Sequence, residues 1–292
     1  MSGASSVSHE PSSKDLPNSV GEWLRCADQD IDRLDRELLY CTLADVSRAH
    51  LIAHPEQSIA PIWARLQAGI ARLRDHEPLA YLLGSREFWG LELTVTPDVL
   101  VPRPETELLV EIALKEAPGV EALRALDLGT GSGAIALALA SERPAWQILG
   151  TDASEAALAI AASNGVQLGL PVRWQHSHWF DAITGRFDLI VSNPPYIRAC
   201  DPHLPALRHE PQQALVSDPS GLQALRDIIS IAPAYLAAGG LLVVEHGYDQ
   251  ADEVGNLFAA AGFADVSGHR DLANLDRATS GRKPSGREVG DG

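Results

Sequence analysis

The stretch Leu126-Asp-Leu-Gly-Thr-Gly-Ser-Gly-Ala-Ile-Ala-Leu137 joins an apolar strand to a helix through a glycine-rich turn. Gly129, Gly131 and Gly133 lack a Cβ, so the backbone can adopt positive φ angles there and approach a ligand closely. Their spacing is G-x-G-x-G, whereas G-x-G-x-x-G is the pattern that seats a pyrophosphate at a helix N-terminus. The turn therefore argues against a nicotinamide or flavin dinucleotide. A tight turn that binds nothing is the alternative at this point.

The segments around this turn alternate between strands and helices. We predict strands near residues 124–128, 147–151, 172–175, 188–192 and 241–245, and helices near 105–117, 134–141, 155–166, 222–236 and 250–261. Apolar strands in such an alternation indicate an α/β protein with an open, mostly parallel sheet covered on both faces. Sheets of this kind bind ligands at the carboxyl ends of their strands, beside the point where the strand order reverses.

An acidic residue, Asp152, ends the second of these strands. A carboxylate about twenty residues beyond a glycine turn can accept hydrogen bonds from the hydroxyls of a cofactor ribose. The alternative is that Asp152 only caps the helix that follows. Together, the glycine turn and the acidic strand end indicate a cofactor that carries adenosine but no pyrophosphate, and S-adenosylmethionine fits that description.

The fourth predicted strand ends abruptly in Asn193-Pro194-Pro195-Tyr196. The two prolines stop the strand and fix φ, so the carbonyl groups of Asn193 and Pro194 point in defined directions. An amide or aromatic amine nitrogen is a poor nucleophile, and methyl transfer to it requires acceptors for its N–H groups. The side-chain oxygen of Asn193 and the carbonyl of Pro194 can be those acceptors, and the ring of Tyr196 can cover a planar group. Outside this context the tetrapeptide would be only a rigid turn.

The chain before residue 99 has a different pattern. Between residues 20 and 74 apolar side chains recur at helical spacing, with Asp45 and Pro61 placed where helices would begin. Residues 87–96 alternate as a β-hairpin does. The serine- and proline-rich beginning, and the end from about Ser280, are expected to be frayed tails. We therefore expect tails at 1–18 and 282–292, a helical domain at 19–80, a hairpin linker at 81–98 and an α/β domain at 99–281.

Composition narrows the possible partners. The 292 residues are 45% hydrophobic and 21% charged, which excludes a disordered or fibrous chain, and the formal net charge is −16. Duplex DNA is therefore not expected to bind. Cys26, Cys41 and Cys200 have no spacing typical of a disulfide framework or a zinc site, and no metal is predicted. A signal peptide and a membrane span are not expected either, which favours the cytoplasm.

Five segments of the chain are similar to the HemK family, the protein-(glutamine-N5) methyltransferases of class I peptide-chain release factors. The resemblance runs from about residue 21 to 282, and these segments carry it: Glu77-Pro-Leu-Ala-Tyr-Leu-Leu-Gly-Ser-Arg-Glu-Phe-Trp-Gly, Leu100-Val-Pro-Arg-Pro-Glu-Thr-Glu, the glycine turn, Val191-Ser-Asn-Pro-Pro-Tyr-Ile and Val244-Glu-His-Gly. The Asn-Pro-Pro-Tyr motif is shared with methyltransferases of other substrates. The segments that begin at Glu77 and Leu100 are much narrower signatures.

The resemblance implies a small N-terminal helical domain that recognises the release factor and a hairpin that joins it to a class I methyltransferase domain with a seven-stranded, mostly parallel sheet. The implied cofactor is S-adenosylmethionine and the implied target is the glutamine of a Gly-Gly-Gln motif. The implied cofactor residues are Gly129, Thr130, Gly131, Ser132, Gly133, Asp152, Trp179 and Asn193. The implied substrate residues are Asn193, Pro194, Pro195 and Tyr196, of which Asn193, Pro194 and Tyr196 are the candidate catalytic residues. The segment 103–107 either closes over the cofactor or only begins a helix.

Two positions depart from the family pattern. His178 stands where an acidic residue usually precedes the aromatic residue after the third strand, so a contact to the adenine amine is in question. Arg208-His-Glu-Pro replaces a more common Arg-Phe-Glu-Pro or Tyr-Glu-Pro. A glutamine methyltransferase of a ribosomal protein, a DNA adenine-N6 methyltransferase and an inactive binding module are the alternatives. A monomer that does not bind nucleic acid directly is expected.

Overall fold

The computed structural model describes residues 17–26, 30–119 and 122–285, which form two compact units. The first unit ends at Leu83 and the second begins at Gly84. Most of the predicted N-terminal tail and the chain after residue 285 lie outside the described residues.

The first unit is helical, as the apolar spacing predicts. Its helices are α1 (Val20–Cys26), α2 (Arg33–Ala44), α3 (Arg48–Ala53), α4 (Trp63–Arg74) and α5 (Leu79–Leu83). Their apolar faces enclose a core centred on the buried Leu39, Tyr40, Leu51 and Leu66. Gly69 allows α4 to approach α2 closely, because a Cβ at this position would lie 2.8 Å from the side chain of Leu39.

Helix boundaries in this unit follow local capping chemistry. The carboxylate of Asp32 accepts a hydrogen bond from the Leu34 N–H at 2.7 Å and begins α2. The expectation for Asp45 is wrong, because this residue ends α2 in a left-handed conformation with φ of 53°. Ser47 begins α3 instead, and Pro61 lies in the short 3₁₀ turn that precedes α4.

The second unit opens with a β-hairpin, β1 (Ser85–Phe88) and β2 (Leu91–Thr94). The buried side chain of Asn164 ties this hairpin to the glycine turn. Its Oδ1 accepts from the Thr94 N–H at 2.8 Å, and its Nδ2 donates to the carbonyl oxygen of Ser132 at 2.9 Å. The hairpin is thus part of the second unit.

The remaining strands are β3 (Arg124–Leu128), β4 (Gln147–Asp152), β5 (Arg173–His176), β6 (Phe187–Ser192), β7 (Leu236–Glu245), β8 (Ala264–Arg270) and β9 (Asp276–Arg282). The longer helices are α6 (Glu107–Glu116), α7 (Ala134–Glu142), α8 (Glu155–Leu168), α10 (Gln223–Tyr235) and α11 (Ala251–Ala260), with the short α9 (Gln212–Leu215) before α10. The predicted elements agree with these within a few residues, apart from the start of β7.

The strands form one sheet in the order β5-β4-β3-β6-β7-β9-β8. The first five are parallel, whereas β9 is antiparallel to both β7 and β8. The chain moves outward from β3 to β5 and then returns to place β6 on the other side of β3, so the strand order reverses between β3 and β6. This seven-stranded, mostly parallel sheet confirms the predicted α/β class.

Apolar layers cover both faces of the sheet. Alternate strand residues such as Ala125 and Val191 pack with α6, α7 and the hairpin, whereas Leu126 and Ile190 pack with α10 and α11. The strand order and the two layers together leave the carboxyl ends of β3, β4 and β6 at one edge, where a ligand can bind.

Composition is misleading at the end of the sheet. The tail expected from about Ser280 is wrong up to Arg282, because β9 runs through Arg282 and buries Ser280 between β7 and β8. β8 has mostly exposed, polar residues, so its sequence carries no apolar alternation. None of the helices in the described ranges combines the length and hydropathy that a membrane span requires.

Candidate active site

The glycine turn adopts the conformation that its sequence predicts. Gly129, Gly131 and Gly133 have φ angles of 72°, 55° and 86°, which residues with a Cβ rarely adopt. The N–H groups of Gly129 and Thr130 both donate to the carbonyl oxygen of Thr151, at 2.9 and 2.8 Å. These bonds hold the turn against the end of β4, where Asp152 lies.

Asp152 lies beside the turn and braces it. Its Oδ2 accepts a hydrogen bond from the Gly131 N–H at 2.9 Å, and its Oδ1 accepts from the Ser154 N–H at 2.8 Å. Ser154, not Asp152, is the N-cap of α8, so the capping alternative for Asp152 is wrong. Each carboxylate oxygen keeps a second lone pair, as an acceptor for ribose hydroxyls must.

A cavity of about 450 Å³ opens at these strand ends. Its walls include Gly129, Gly131, Asp152, His178, Trp179, Asn193 and Pro195. The volume lies within the usual range for small-molecule sites. This first cavity combines an open backbone turn, a carboxylate and an indole ring, which suits the amino acid, ribose and adenine parts of S-adenosylmethionine.

Three of the five residues of the glycine turn contact other parts of the protein and not the first cavity. Among the described residues, Thr130, Ser132 and Gly133 do not line the first cavity. The hydroxyl of Thr130 donates to Asp127, the carbonyl oxygen of Ser132 accepts from Asn164, and a Cβ at Gly133 would lie 2.9 Å from the Trp174 ring. The turn therefore presents Gly129 and Gly131 to a ligand and uses the other three to hold its shape.

Asp127 is a buried residue of this region that was not predicted from the sequence. Its Oδ2 accepts hydrogen bonds from the Thr130 hydroxyl at 2.6 Å and from the Ala136 N–H at 3.2 Å. Burial raises the pKa of Asp127 to about 7, because the low-dielectric interior disfavours its charge. An acidic residue inside an otherwise apolar strand was the available signal.

Trp179 and His178 line the first cavity beside the glycine turn, where a Cβ built at Gly129 would lie 3.5 Å from the Trp179 ring. Trp179 has a φ of 44°, and its carbonyl oxygen accepts a hydrogen bond from the Ser177 hydroxyl at 2.9 Å. The His178 ring is exposed, with its centroid 5.6 Å from that of the indole and its Nδ1 3.8 Å from a carboxylate oxygen of Asp181. His178 thus lines the cavity at the position where an acidic residue is usual.

The Asn-Pro-Pro-Tyr motif lies at the switch in strand order. Ser192, which precedes it, donates its hydroxyl to the Leu128 carbonyl oxygen at 2.7 Å and so joins β6 to β3. The Nδ2 of Asn193 donates to the Thr106 hydroxyl oxygen at 3.1 Å. The carboxamide is planar, so its Oδ1 is directed away from Thr106 as a potential acceptor.

A second cavity of about 270 Å³ lies against the same motif. It is lined by Leu100, Arg103, Asn193, Pro194, Tyr196, Ile197, Leu207, Ala214, Leu215 and Glu245. Asn193 lines both cavities, Pro195 only the first, and Pro194 and Tyr196 only the second. The motif thus separates a larger from a smaller chamber, and Asn193 is accessible to both.

Buried polar groups surround the second cavity. The Tyr196 hydroxyl donates to Glu245 Oε1 at 3.0 Å, and burial raises the pKa of this tyrosine. Burial also raises the pKa of Glu245, to about 7, although the hydrogen bond from Tyr196 and the positive charge of Arg277 favour its charged form. Thr106 and Glu245 were not predicted as site residues, although both lie in segments that carry the family resemblance.

The segment before α6 is held by a residue from the Arg208-His-Glu-Pro stretch. Glu210 is buried and forms an ion pair with Arg103, while its Oε2 accepts from the Val101 N–H at 3.2 Å. Glu107 begins α6, as one interpretation of the 103–107 segment predicts, but the segment does not only begin a helix. The same segment also reaches the site, through Thr106.

Comparisons with known proteins agree with this geometry. Residues 19–84 match the family described as PrmC N-terminal domain, and residues 104–209 match the Methyltransferase small domain. A release factor glutamine methyltransferase from Coxiella burnetii is 48% identical over 86% of this chain and 92% of its own length. One from Burkholderia pseudomallei is 46% identical over 93% of this chain and 98% of its own length.

Solved structures support the fold. A methyltransferase from Pyrococcus furiosus is 17% identical and aligns with a TM-score of 0.53 over 76% of this chain and 99% of its own. A Thermus thermophilus 16S rRNA methyltransferase, solved in complex with AdoMet and guanosine, is 24% identical with a TM-score of 0.51 over 68% of this chain and 49% of its own. Both similarities concern the fold alone.

Proposed function

This chain belongs to the release factor glutamine methyltransferases, and from that premise we propose how its residues perform the methylation. It is an S-adenosylmethionine-dependent enzyme that transfers a methyl group to the side-chain amide nitrogen of a glutamine in a release factor. We propose that this glutamine is the one in the Gly-Gly-Gln motif of class I release factors. The single observation that carries the assignment of the site is that Asn193 lines both cavities.

The first cavity is the proposed cofactor site. The open backbone of the glycine turn suits the amino acid part, Asp152 suits the ribose hydroxyls, and Trp179 suits the adenine ring. S-Adenosylmethionine supplies an electrophilic sulfonium methyl group when it is bound. Asp127 supports this site indirectly, because its carboxylate accepts a hydrogen bond from Thr130 and so holds the glycine turn in place.

The second cavity is the proposed site of the glutamine side chain. An amide nitrogen is weakly nucleophilic because its lone pair is delocalised, and it becomes positive as it gains the methyl group. Asn193 Oδ1 and the Pro194 carbonyl oxygen would each accept a hydrogen bond from one of its two N–H groups and so stabilise the developing positive charge. Tyr196 would cover the planar amide, and the proton would leave to water afterwards. Positioning therefore supplies most of the rate enhancement.

We further propose that residues 19–80 recognise the release factor and that the hairpin within 81–98 links them to the methyltransferase domain. Similarity of residues 19–84 to the PrmC N-terminal domain supports this division. We propose a monomer that acts in the cytoplasm without binding nucleic acid directly. The formal net charge of −16 supports the last point.

The test is a methylation assay with purified protein, methyl-labelled S-adenosylmethionine and a full-length release factor. A ribosomal protein fraction and plasmid DNA serve as parallel substrates, and peptide mass spectrometry locates the label. A single methyl group on the Gly-Gly-Gln glutamine is expected, and a release factor with that glutamine replaced by asparagine should remain unlabelled. Label on a ribosomal protein or on DNA, with none on the release factor, would overturn the proposed substrate.

A further inference from the structure

An ion pair between Arg103 and Glu210 lies at the second cavity. Arg103 lines this cavity, and Nη2 of its guanidinium donates a hydrogen bond to Oε1 of Glu210. The side chain of Arg103 is 37% exposed, whereas that of Glu210 is only 1% exposed. The carboxylate is therefore the partner that the protein encloses, and the guanidinium is the partner that a ligand can reach.

Glu210 is held by the chain on both sides of the cavity. Its Oε2 accepts a hydrogen bond from the Val101 N–H at 3.2 Å, and its own N–H donates to the Leu207 carbonyl oxygen at 3.0 Å. Leu207 lines the second cavity, and so does Leu100, the neighbour of Val101. Glu210 thus joins two segments that line this cavity and limits the positions that the Arg103 guanidinium can take.

The guanidinium has more donors than Glu210 uses. Arginine carries five N–H groups and no acceptor. Within the described ranges, the hydrogen bond of the Arg103 side chain goes to Glu210, so its Nε and Nη1 donors remain for a ligand. Arg103 is also the only cation among the described residues that line the second cavity. A ligand in this cavity is therefore expected to present hydrogen-bond acceptors to Arg103.

The charges of the pair suit the proposed reaction. The substrate amide nitrogen becomes positive as it gains the methyl group, and an unpaired cation beside it would oppose that charge. Glu210 neutralises the guanidinium, so Arg103 can donate hydrogen bonds near the amide at little electrostatic cost. Neutral acceptors, such as peptide carbonyl oxygens, suit a guanidinium that already has its carboxylate partner.

We propose that Arg103 binds backbone carbonyl oxygens of the substrate beside the methylated glutamine, and that Glu210 is the positioning residue that orients Arg103. The inference rests on the proposed function, in which two glycines precede this glutamine. Glycine has no side chain, so the enzyme can recognise these two residues only through their backbone groups. Their carbonyl oxygens are acceptors, and Arg103 supplies the donors.

The test replaces both members of the ion pair, because Arg103→Met alone leaves a buried carboxylate without its partner and destabilises the fold. The double variant Arg103→Met/Glu210→Gln carries neither charge and keeps side chains of similar length. Its KM for a full-length release factor should rise about tenfold or more, while kcat and the cofactor Kd stay within about threefold. A fall in kcat with an unchanged KM would overturn the proposal.

The matched control is Arg270→Met/Asp276→Asn. This ion pair, at 3.0 Å, joins the end of β8 to the start of β9 at the outer edge of the sheet. Neither residue is among the described residues that line the second cavity. The control loses the same two charges and should keep the KM of the wild type. Equal KM values in the two double variants, both folded by their melting temperatures, would contradict a contact between Arg103 and the substrate.

Salt separates a direct contact from general charge attraction. The ratio of KM between Arg103→Met/Glu210→Gln and the wild type should vary less than about threefold between about 0.05 and 0.5 M salt, because a hydrogen bond in contact is screened little. A ratio that falls to one at the higher salt concentration would overturn the proposal.

If the double variant does not fold, Arg103→Lys decides. Lysine keeps the ion pair with Glu210 but has one donor nitrogen instead of a planar fork, so KM should rise about fivefold or more. An unchanged KM for this variant would overturn the proposal. A wild type that does not methylate the release factor would instead disprove the proposed function.

Discussion

The N–H of Gly131 donates a hydrogen bond to Oδ2 of Asp152 at 2.9 Å, across 21 residues of sequence. This bond ties the proposed contact for the methionine part of the cofactor to the proposed contact for its ribose. The two groups are therefore positioned before the cofactor binds, which reduces the entropy lost on binding.

Replacement of Asp152 should weaken the cofactor complex strongly. Asp152→Ala removes the acceptors for the ribose hydroxyls and the brace on the turn, so Kd for S-adenosylmethionine should rise about ten- to a hundredfold. Asp152→Asn keeps one acceptor, so its Kd should lie between those of the alanine variant and the wild type. Isothermal titration calorimetry measures all three, and an unchanged Kd for the alanine variant would refute the ribose assignment.

Gly131→Ala and Gly262→Ala form a matched pair. Both glycines have positive φ angles, 55° and 80°, and no atom lies within 4 Å of a Cβ built at either. Each substitution should cost about 1 kcal/mol of stability through backbone strain. Only Gly131 lines the first cavity, where the new methyl group would take up cofactor space.

The cofactor Kd should therefore rise at least about tenfold for Gly131→Ala and stay unchanged for Gly262→Ala. Equilibrium denaturation gives the two stabilities and calorimetry the two affinities. Equal affinities in the two variants would place the cofactor elsewhere.

Asn193→Ala should abolish methyl transfer while the cofactor still binds. The variant loses the side-chain acceptor for the substrate amide, and the loss of one such charge-stabilising group reduces kcat about a hundredfold or more. The cofactor Kd should stay within about threefold, because most of the first cavity is unchanged. Single-turnover kinetics with a full-length release factor is the measurement, and near-normal turnover would refute the proposed role of Asn193.

His178→Asp tests the departure from the family pattern. If the adenine amine faces this position, a carboxylate should accept its hydrogen bond and lower the cofactor Kd about two- to tenfold. His54→Asp introduces the same charge at an exposed position of the first unit and should leave Kd unchanged. A similar change in both variants would mean that overall charge, and not a contact to adenine, alters the affinity.

Asp127 should make the free energy of unfolding depend on pH. Its pKa is about 7 in the folded protein against an ordinary value of 3.8, so the folded state retains a proton that the unfolded state loses. The stability contributed by the neutral group is therefore complete below about pH 4 and is lost as the pH rises towards 7.

Asp127→Asn does not titrate and should gain stability relative to the wild type as the pH rises. Between pH 5 and pH 7.5 the difference should change by about 2 kcal/mol in favour of the variant. Urea denaturation at both pH values measures it. Thr130→Ser, which keeps the hydroxyl donor to Asp127, should follow the pH dependence of the wild type. If the difference in free energy of unfolding between Asp127→Asn and the wild type did not change with pH, Asp127 would have an ordinary pKa in the folded protein.

Prediction from sequence succeeds where one local pattern sets the structure. The apolar strands β3 and β6 and the helix α8 match their predicted positions closely, because burial on both faces demands continuous apolar residues or apolar residues at helical spacing. Strand β8 has no such requirement at the sheet edge. Its existence depends on backbone pairing with β9, which leaves little trace in side-chain type.

The residues of the candidate site show the same difference between local sequence patterns and tertiary contacts. Gly129, Gly131, Asp152 and Asn193 were predicted from sequence and line the first cavity, because strand ends and backbone conformations restrict the residue types that suit these positions. Thr106 and Glu245 were not, since an ordinary threonine and an ordinary glutamate acquire a role only from their neighbours.

The sequence by itself determined the class of sheet, the conformation of the glycine turn and the presence of the Asn-Pro-Pro-Tyr motif at a strand end. Only the tertiary structure decided which way the Asn193 carboxamide faces, because its partner Thr106 lies 87 residues away. It likewise decided that Tyr196 meets Glu245, 49 residues away, in a buried environment that raises the pKa of the carboxyl group. Hydrogen-bond direction and burial depend on neighbours that the fold brings together, and spacing along the chain does not contain them.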